Sequence, residues 1–350
     1  MNTRDQKNRE PWLAVNLSYF FAGLGQIYAG RVLRGIVYFL SLIALTLLAI
    51  WKIFAPQGDI RYGVGFAGAA ALLYLWNLID AYITTKRGND PGFQKDRKLT
   101  RDPWLAVFFN QVAPGLGHLY IQQTLLGLIL VGIYAVLYAF QQLTVFLGFL
   151  AVMLSAGAVA HVYFQAPSRR EQSRKPIIFL VIAILVYGVS TTAVPFYVES
   201  EVMRNFTTSS NHMAPAIYKG DRFFVRVLPS EKYQRGDVLV FELPGDTTWI
   251  YLRRLIGLEG DRVEIREDST VYVNGVPAFA PEHPAARSIP GGVYAQPGDP
   301  YTVPQEAFFF LADNADNSED SRNYGAVSVS NVIGRAYKIY WPLSRSGPVE

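Results

Sequence analysis

The sequence predicts an N-terminal membrane part of several α-helical spans, followed by an all-β domain. Long runs of Leu, Ile, Val, Ala, Phe and Tyr fill the chain up to Val198. Hydrophobic residues make up 51% of the whole chain. After Val198, charged residues, Gly and Pro separate short runs rich in Val, Ile, Phe and Tyr, a pattern typical of strands. The boundary therefore lies near residue 197, and the C-terminal part is long enough to bury its own core.

Two segments of the membrane part match each other without a gap. Superposing Pro11 on Pro103 aligns PWLAVNLSYFFAGLGQIYAGRVLRG with PWLAVFFNQVAPGLGHLYIQQTLLG, so that the Trp, Gly-Leu-Gly, Tyr and final Gly positions coincide. Self-similarity at a fixed offset marks a duplicated unit. The sequence therefore predicts an internal duplication, with repeat unit 1 at residues 1–88 and repeat unit 2 at residues 89–170.

Each unit continues into two apolar runs, and a further run precedes the β domain. A bilayer span needs about 20 apolar residues, and all but the fourth run are near that length: 32–54, 64–85, 125–148, 149–164 and 176–198. The stretches from Pro-Trp-Leu-Ala-Val to Gly-Leu-Gly carry Asn, Ser and Gln. They are open to three interpretations, as spans, interfacial helices or re-entrant elements.

Basic residues indicate which ends face the cytoplasm. They cluster before unit 1, between the units and before the last run, and the positive-inside rule places all three clusters in the cytoplasm. Each unit then crosses an even number of times, which favours two spans per unit and a Pro-Trp-Leu-Ala-Val stretch that does not cross. Residues 171–198 form a transmembrane anchor, and residues 199–350 are extracytoplasmic. We expect a multi-pass protein of plasma-membrane type with a cytoplasmic N-terminus.

Polar residues within the apolar runs are few. The Gly-Leu-Gly pairs favour close helix packing through small residues over a ligand site. Asp80 and His161 lie near basic ends of their runs, so we expect them to snorkel towards the interface.

Composition excludes several classes of function. The formal net charge is +4, from 32 Lys and Arg against 28 Asp and Glu, which is too balanced to indicate a nucleic-acid partner. The chain has 0 Cys, so disulfides and thiolate metal sites are impossible. The basic start leads into many apolar runs without a cleavage site, so no removed signal peptide is expected. We predict neither a metal nor a cofactor.

In the β part, short Val-, Ile- and Phe-rich runs alternate with turn residues and predict a barrel-like or sandwich domain. The Pro- and Gly-rich stretch at 282–304 is interpreted as an exposed loop. Between the last apolar run and the first strands lies FTTSSNHMAPAIYKGD, at 206–221. It combines small hydroxyl residues, an isolated His212 and a Gly-Asp turn signal, so it is either a site or a turn.

Three motifs of the β part resemble type I signal peptidase in residue type and order. They are SNHMAP at 210–215 with Gly220-Asp221, YLRRLIGLEGD at 251–261, and DNADNSEDSR at 313–322. The last string is the most specific of the three. The resemblance covers essentially everything after residue 197. It implies an all-β, membrane-anchored serine endopeptidase that uses a Ser-Lys dyad to cut signal peptides from exported proteins at the outer membrane face.

At both dyad positions the sequence departs from that family. The motif S-x-S-M-x-P falls on 210–215, which puts His212 at the nucleophile position, and the Lys-Arg pair falls on Arg253-Arg254, which puts Arg253 at the general-base position. Imidazole cannot form the acyl ester that a Ser hydroxyl forms. Arginine stays protonated at physiological pH and cannot abstract a proton. The resemblance therefore implies a signal-peptidase-like protein with lost or strongly reduced proteolysis.

The resemblance also assigns the residues around the dyad. It gives Ser210, Met213 and Pro215 roles in the oxyanion and substrate contacts. It assigns the scaffold of the site to Gly220, Asp221, Arg254, Gly257, Gly260, Asp261, Asp313, Asn314, Asp316, Asn317, Ser318, Asp320, Ser321 and Arg322. Ser318 falls where a Ser contacts the catalytic Lys.

Structural interpretations compete with these roles. In the simplest interpretation, His212 is an exposed loop histidine, and in the next it binds a peptide. Metal ligation is the last interpretation, because the chain has only 4 His. For Arg253 the simplest role is a structural cation paired with a carboxylate of the string at 313–320.

The sequence leaves three functional hypotheses. In the first, the β domain binds signal peptides or other extended segments of exported proteins without cutting them. In the second, it is an active signal peptidase with a shifted nucleophile, Ser210 or Ser209. In the third, the membrane units carry the function and the β domain is a structural or assembly surface. The expected partners are peptides, the lipid bilayer and an active signal peptidase.

Overall fold

The computed structural model describes residues 8–141, 144–167, 175–243, 246–315 and 319–349. The chain divides into two compact units, Met1–Ala49 with Val64–Phe196 and Ile50–Gly63 with Tyr197–Glu350. Its helices in the first 200 residues are α1 Pro11–Phe20, α2 Leu24–Tyr28, α3 Val32–Phe54, α4 Ile60–Arg87, α5 Pro91–Asp96, α6 Pro103–Val112, α7 Leu116–Tyr120, α8 Thr124–Phe140, α9 Val145–Gln165 and α10 Lys175–Tyr197.

Within the described residues, four helices are long and apolar enough to cross a membrane: Val32–Phe54, Ile60–Arg87, Val145–Gln165 and Lys175–Pro195. They define a multi-pass membrane protein. Helix α8 is equally apolar but has only 17 residues.

The predicted division between the third and fourth apolar runs was misplaced. We expected runs at 125–148 and 149–164, but α8 ends at Phe140 and α9 begins at Val145. Gly148 lies inside α9, where a Cβ atom would come within 2.7 Å of the Thr192 side chain on α10. This glycine therefore permits close helix packing and does not end a helix.

The Pro-Trp-Leu-Ala-Val stretches form helical hairpins that close on themselves. Helix α1 turns at Gly23, which has a φ of +86°, and returns through α2. At the base, the backbone N of Glu10 donates to the Tyr28 hydroxyl at 3.1 Å, and the Arg9 guanidinium donates to the Tyr28 carbonyl. The segment therefore begins and ends close together, and that it does not cross the bilayer stays a prediction.

The second hairpin repeats this geometry. Helix α6 turns at Gly115, whose φ is +102°, and returns through α7. The backbone N of Asp102 donates to the Tyr120 hydroxyl at 3.1 Å, and Arg101 donates to the Tyr120 carbonyl. Asp102 also caps α6 by accepting from the backbone N of Trp104 at 3.0 Å.

The two hairpins pack together in the helical unit. Asn16 donates from its side chain to the carbonyl of Trp104 at 2.8 Å, and the Trp104 ring packs on Tyr163 of α9 at 4.6 Å. The expected snorkelling of Asp80 is wrong. Its carboxylate is buried, lies 2.6 Å from the Arg34 guanidinium and accepts from Gln26 at 3.1 Å.

A pair of histidines lies between α7 and α9. Nε2 of buried His118 lies 2.9 Å from Nδ1 of His161. His161, which we expected to snorkel, is exposed and contacts His118 on its inner side.

The C-terminal unit contains two antiparallel sheets. Its strands are β1 Met203–Thr207, β2 Arg222–Arg226, β3 Val238–Leu243, β4 Asp246–Gly257, β5 Arg262–Ile265, β6 Val271–Val273, β7 Val276–Pro277, β8 Tyr301–Thr302, β9 Ala307–Leu311, β10 Val327–Ser328, β11 Val332–Trp341 and β12 Gly347–Pro348, with a short helix α11 at Ser321–Tyr324. The larger sheet has the order β1-β2-β11-β3-β4-β9-β10, with β12 on β11, and the smaller has the order β7-β6-β5-β8.

Both faces of the larger sheet are covered. In β3, Val238 and Val240 pack into one apolar cluster, whereas Leu239 and Phe241 pack into another on the opposite face. Successive strand residues point to opposite faces, so the continuous apolar run of β3 is what a strand buried on both sides requires.

The stretch at 282–304 differs from the exposed loop that we predicted. Ala285 and Ala295 are each 2% exposed, and Tyr301 pairs with Val263 of the smaller sheet. The backbone carbonyl of Arg322 accepts from the backbone N of Tyr294 at 2.9 Å. Its Pro and Gly residues therefore shape a segment that packs on the domain.

Candidate functional site

The connection between β1 and β2, at 208–221, is a closed loop held at its neck and by its core side chains. The backbone N of Gly220 donates to the Thr208 carbonyl at 2.9 Å, with Gly220 at a φ of +89°. Asp221 accepts from the backbone N of Tyr218 at 2.9 Å and from Arg345 at 3.0 Å. Met213, at 1% exposed, is anchored in the core. The loop thus presents His212 from a fixed frame.

Arg253 and Arg254 are neighbours in β4 and point to opposite faces. The Arg254 guanidinium forms a bidentate ion pair with the Asp313 carboxylate, at 2.7 and 2.6 Å, and also donates to the Gly236 carbonyl at 2.7 Å. Arg253 donates to the backbone carbonyl of Glu319 from Nε at 3.0 Å and from Nη2 at 2.6 Å. Its Nη1 donates to its neighbour's carbonyl.

Among the described residues, Arg253 does not pair with a carboxylate of the string at 313–320, which is the partner that we predicted. Asp313 pairs with Arg254 and Asp320 pairs with Arg322, while Asp316 lies outside the described residues. Side chains alternate across a strand, and this alternation places Arg254 on the side of Asp313. Arg253 is nevertheless buried, with 5% of its surface exposed.

The string at 313–322 ties the site together through backbone contacts. The backbone N of Asn314 donates to the His212 carbonyl at 2.9 Å. Asp320 caps α11 and accepts from the Arg322 guanidinium at 2.8 Å, while the Ser321 hydroxyl accepts from the backbone N of Phe310 at 2.9 Å. Three assigned scaffold residues, Asp316, Asn317 and Ser318, lie outside the described residues.

His212 and Arg253 line one groove of about 410 Å³. One wall comes from the end of β1 and the loop that follows, including Ser209, Ser210 and Met213. The other wall is β4, from Trp249 to Arg253. The structure thus brings His212, Ser210, Met213 and Arg253 together. Pro215 lies farther along the loop, where its carbonyl accepts from Arg345 at 3.4 Å.

Part of the assigned scaffold lies away from the groove. Gly257, Gly260 and Asp261 lie around the turn from β4 to β5, and Asp261 accepts from the backbone N of Leu258 at 2.7 Å and from Arg235 at 2.8 Å. A Cβ atom on Gly257 would come within 2.7 Å of Val263. These residues shape the join between the two sheets.

Each wall of the groove includes a strand that is not paired on both sides along its length. β1 is the terminal strand of its sheet, pairing with β2. β4 pairs with β3 at Asp246 and at Ile250–Arg254, but its pairing with β9 begins only at Arg254. Among the described strands, none pairs with the second edge of β4 at Trp249–Arg253. An extended peptide has main-chain donors and acceptors that suit such edges.

Burial and charge set the protonation of the two side chains. Burial lowers the pKa of His212, and the nearby positive charge of Arg253 lowers it further, while Glu319 and Asp320 act in the opposite direction. Burial also lowers the pKa of Arg253, opposed by Tyr324 and Asp320. The groove therefore holds a neutral imidazole at pH 7, beside a guanidinium committed to backbone carbonyls.

Sequence reasoning missed the apolar side of the groove. Trp249 and Ile250, which are 64% and 50% exposed, lie on the wall formed by β4. The run TTWIYLRR at 247–254 gave a signal for a strand, but nothing in it marked those two residues as groove residues. The Glu319 carbonyl was also missed, because a backbone acceptor leaves no trace in residue type.

Comparison with known proteins identifies the family of this chain. The sequence profile described as "Signal peptidase, peptidase S26" matches residues 174–341. Signal peptidase I of Bacillus licheniformis is 32% identical over 146 residues, which cover 40% of this chain and 77% of that protein. Signal peptidase I of Bacillus amyloliquefaciens is 31% identical, covering 39% and 74% of the two chains.

Two further signal peptidases are similar to this chain. Signal peptidase I of Pseudomonas aeruginosa is 27% identical over 209 residues, covering 45% of this chain and 74% of that protein. The crystal structure of a signal peptidase I from Enterococcus faecalis is 32% identical, covers 30% of this chain and 96% of that one, and has a TM-score of 0.24. The chain belongs to the signal peptidase I family.

Proposed function

We propose that this protein binds signal peptides, or similar extended segments of exported proteins, at the membrane face without cutting them. The observation that carries the proposal is the groove lined by both His212 and Arg253. The sequence motifs assign these two residues to the family's nucleophile and general-base positions. Membership of the signal peptidase I family supports signal peptides as the ligand class.

Binding rests on the groove walls. An extended peptide adds to a strand edge through main-chain hydrogen bonds, while pockets select its alternate side chains. Trp249 and Ile250 offer exposed apolar surface along β4, and Met213 closes the loop wall. This combination suits the small and apolar side chains near a signal-peptide cleavage site.

The lack of cleavage rests on Arg253. A general base must accept a proton, but a guanidinium is a donor at every nitrogen and stays protonated at physiological pH. Two of its nitrogens are already directed at the Glu319 carbonyl. His212 offers no hydroxyl for an acyl ester, so neither half of a Ser-Lys dyad is available.

A second candidate is an active peptidase with a shifted nucleophile. It is favoured by Ser209 and Ser210, which line the same groove as His212. The described hydrogen bonds of Ser210, however, join its backbone to Thr208, at 3.2 and 3.4 Å. If Ser210 or Ser209 were the nucleophile, Ser210→Ala or Ser209→Ala would abolish processing.

The test separates binding from cutting. Purified full-length protein in detergent is titrated into a fluorescent signal peptide with an Ala-x-Ala end, and anisotropy and mass spectrometry are followed together. We expect saturable binding, weakened by Trp249→Ala and unchanged by Trp341→Ala, a tryptophan that is 50% exposed and lies outside the groove. Cleavage at a single site that disappears in His212→Ala would refute the proposal.

A further inference from the structure

The turns of the two hairpins lie deep in the helical unit. Helices α1 and α6 have 10 residues each, or about 15 Å of rise, roughly half the thickness of a bilayer's hydrocarbon core. Irregular backbone at such a depth is tolerated where protein buries it or where it lines a cavity. The backbone N atoms of Gly115 and Gly117 donate to the Asn110 side chain, at 3.0 and 2.8 Å.

A cavity of about 270 Å³ lies at these turns. It is lined by Tyr19 and Phe20 at the end of α1, by Asn110, Gln111 and Val112 at the end of α6, and by α8, α9 and α10. The lining comes from the second half of α8, from Gly148 to Val159 of α9 and from Ile184 to Thr192 of α10. The cavity therefore lies towards the end of the helical unit opposite the hairpin bases.

The described lining mixes polar and apolar residues and carries no charged side chain. Its described residues include the phenols of Tyr134 and Tyr138 and the hydroxyl of Ser155, but no Asp, Glu, Lys, Arg or His. Burying a charged group without an opposite charge is costly, so the cavity disfavours a phosphate or an ammonium group. A neutral molecule with hydrogen-bonding atoms suits it.

The side-chain amide of Gln111 is placed to hydrogen-bond the polar end of such a molecule. Both amide atoms of its side chain are buried and lack a hydrogen-bond partner among the described residues. Its neighbour Asn110 is fully committed, since Nδ2 donates to the Ala158 carbonyl at 2.8 Å and Oδ1 accepts from the hairpin turn. An unmade hydrogen bond at a buried amide is costly, and no bulk water relieves it inside a bilayer.

We propose that this cavity binds the head of a neutral, hydroxyl-bearing glycerolipid, of which diacylglycerol is the simplest. A hydroxyl both donates and accepts, so it matches the two unpaired atoms of the Gln111 amide. The volume accommodates a glycerol head and the first methylenes, while the acyl chains remain in the bilayer. The site is separate from the peptide groove, and it does not depend on whether that groove cuts or binds.

The experiment uses the full-length protein in nanodiscs of phosphatidylcholine that contain a photoactivatable diacylglycerol. After irradiation, labelled peptides are identified by mass spectrometry. We expect label near the end of α6 and the second half of α8, displaced by unlabelled diacylglycerol and not by phosphatidylglycerol. Gln111→Leu should lower labelling about tenfold, the loss expected for its hydrogen bonds.

Two controls separate binding from folding. Tyr138→Phe should also lower labelling, whereas Tyr62→Phe, which removes a phenol that is 65% exposed on α4, should leave it unchanged. In lipid-free detergent, Gln111→Leu should unfold at the same temperature as the wild type or higher, because it removes an unpaired amide. Equal labelling of the wild type and Gln111→Leu, or equal competition by phosphatidylglycerol, would overturn the proposal.

Discussion

Arg254 forms a bidentate, buried ion pair with Asp313, although its neighbour Arg253 is the residue that faces the groove. The pair fixes the strand that carries Arg253 to the string that carries Asn314 and Asp320. The two adjacent arginines therefore have different roles. Arg254 links two segments of the β domain, and Arg253 lines the groove.

Breaking the Arg254–Asp313 pair should strongly destabilise the β domain. Asp313→Asn leaves a buried guanidinium without its charge partner, which typically costs about 3–5 kcal/mol. Arg235→Ala is the matched control, because its ion pair with Asp261 is partly exposed, and such pairs contribute about 1 kcal/mol or less. Pulse proteolysis in increasing urea compares the two. Similar losses in both variants would contradict the role given to the buried pair.

His212 should titrate at acidic pH. Because burial and Arg253 lower its pKa, we expect a midpoint below the ordinary value of about 6.5. Stability linked to the neutral imidazole is then present above that ordinary value and is lost as the pH falls towards the lowered pKa. Histidine NMR resonances report the midpoint, and the chain has only 4 His to assign.

The cause of this shift can be tested separately. Arg253→Gln removes a positive charge near His212 and should raise the midpoint of that residue. His283 is the internal control, because its pKa is lowered by burial and by Arg254, so Arg253→Gln should leave it unchanged. A midpoint of His212 that does not move would assign the shift to burial alone.

Restoring the dyad should produce cleavage. The double variant His212→Ser with Arg253→Lys supplies a hydroxyl and a buried amine, whose pKa desolvation can lower into a useful range. We expect single-site cutting of an Ala-x-Ala preprotein in detergent by the double variant only. His212→Ala with Arg253→Lys is the control that keeps the amine and omits the hydroxyl. If the double variant binds the preprotein and leaves it intact, the proposed positions of the dyad are wrong.

Lys338 should be a stability determinant of the C-terminal unit. Its fully buried Nζ donates to the carbonyls of Lys52, Ala55 and Gly58, at 3.2, 2.7 and 2.8 Å. Lys338→Met removes these three hydrogen bonds, although the Ala55 carbonyl keeps the one that it accepts from the backbone N of Gly58 at 2.9 Å, so we expect a loss of about 1–3 kcal/mol. Lys232→Met, at an exposed lysine, should change stability little. Equal urea midpoints in pulse proteolysis would contradict this assignment.

The sequence predicted the β domain and the site loop because their signals are local. The sequence alone identifies short apolar strands, turn residues and the string at 313–322, without knowledge of the strand register. It could not identify the partners of Arg253 and Arg254. Those partners depend on which face of the strand each side chain takes and on a backbone carbonyl 66 residues away. The role of Trp249 in the groove depends equally on where β9 begins to pair with β4.

The membrane part shows the same limit. Residue types left three interpretations of the Pro-Trp-Leu-Ala-Val stretches, and only the contact of Glu10 with Tyr28 identifies a hairpin. Likewise Gly148 has the sequence character of a helix end, but its close packing against Thr192 lies within a helix. Contacts between segments distant in the chain decided both cases.

The closed base of each hairpin has a consequence for biogenesis. Because Arg9 and Glu10 meet Tyr28, inserting α1 and α2 requires no polar loop to be translocated, and the same holds for α6 and α7. We therefore expect each hairpin to enter the bilayer from one side and to leave both of its ends on that side. A topology reporter fused just after Tyr28 should remain in the same compartment as one fused to the N-terminus.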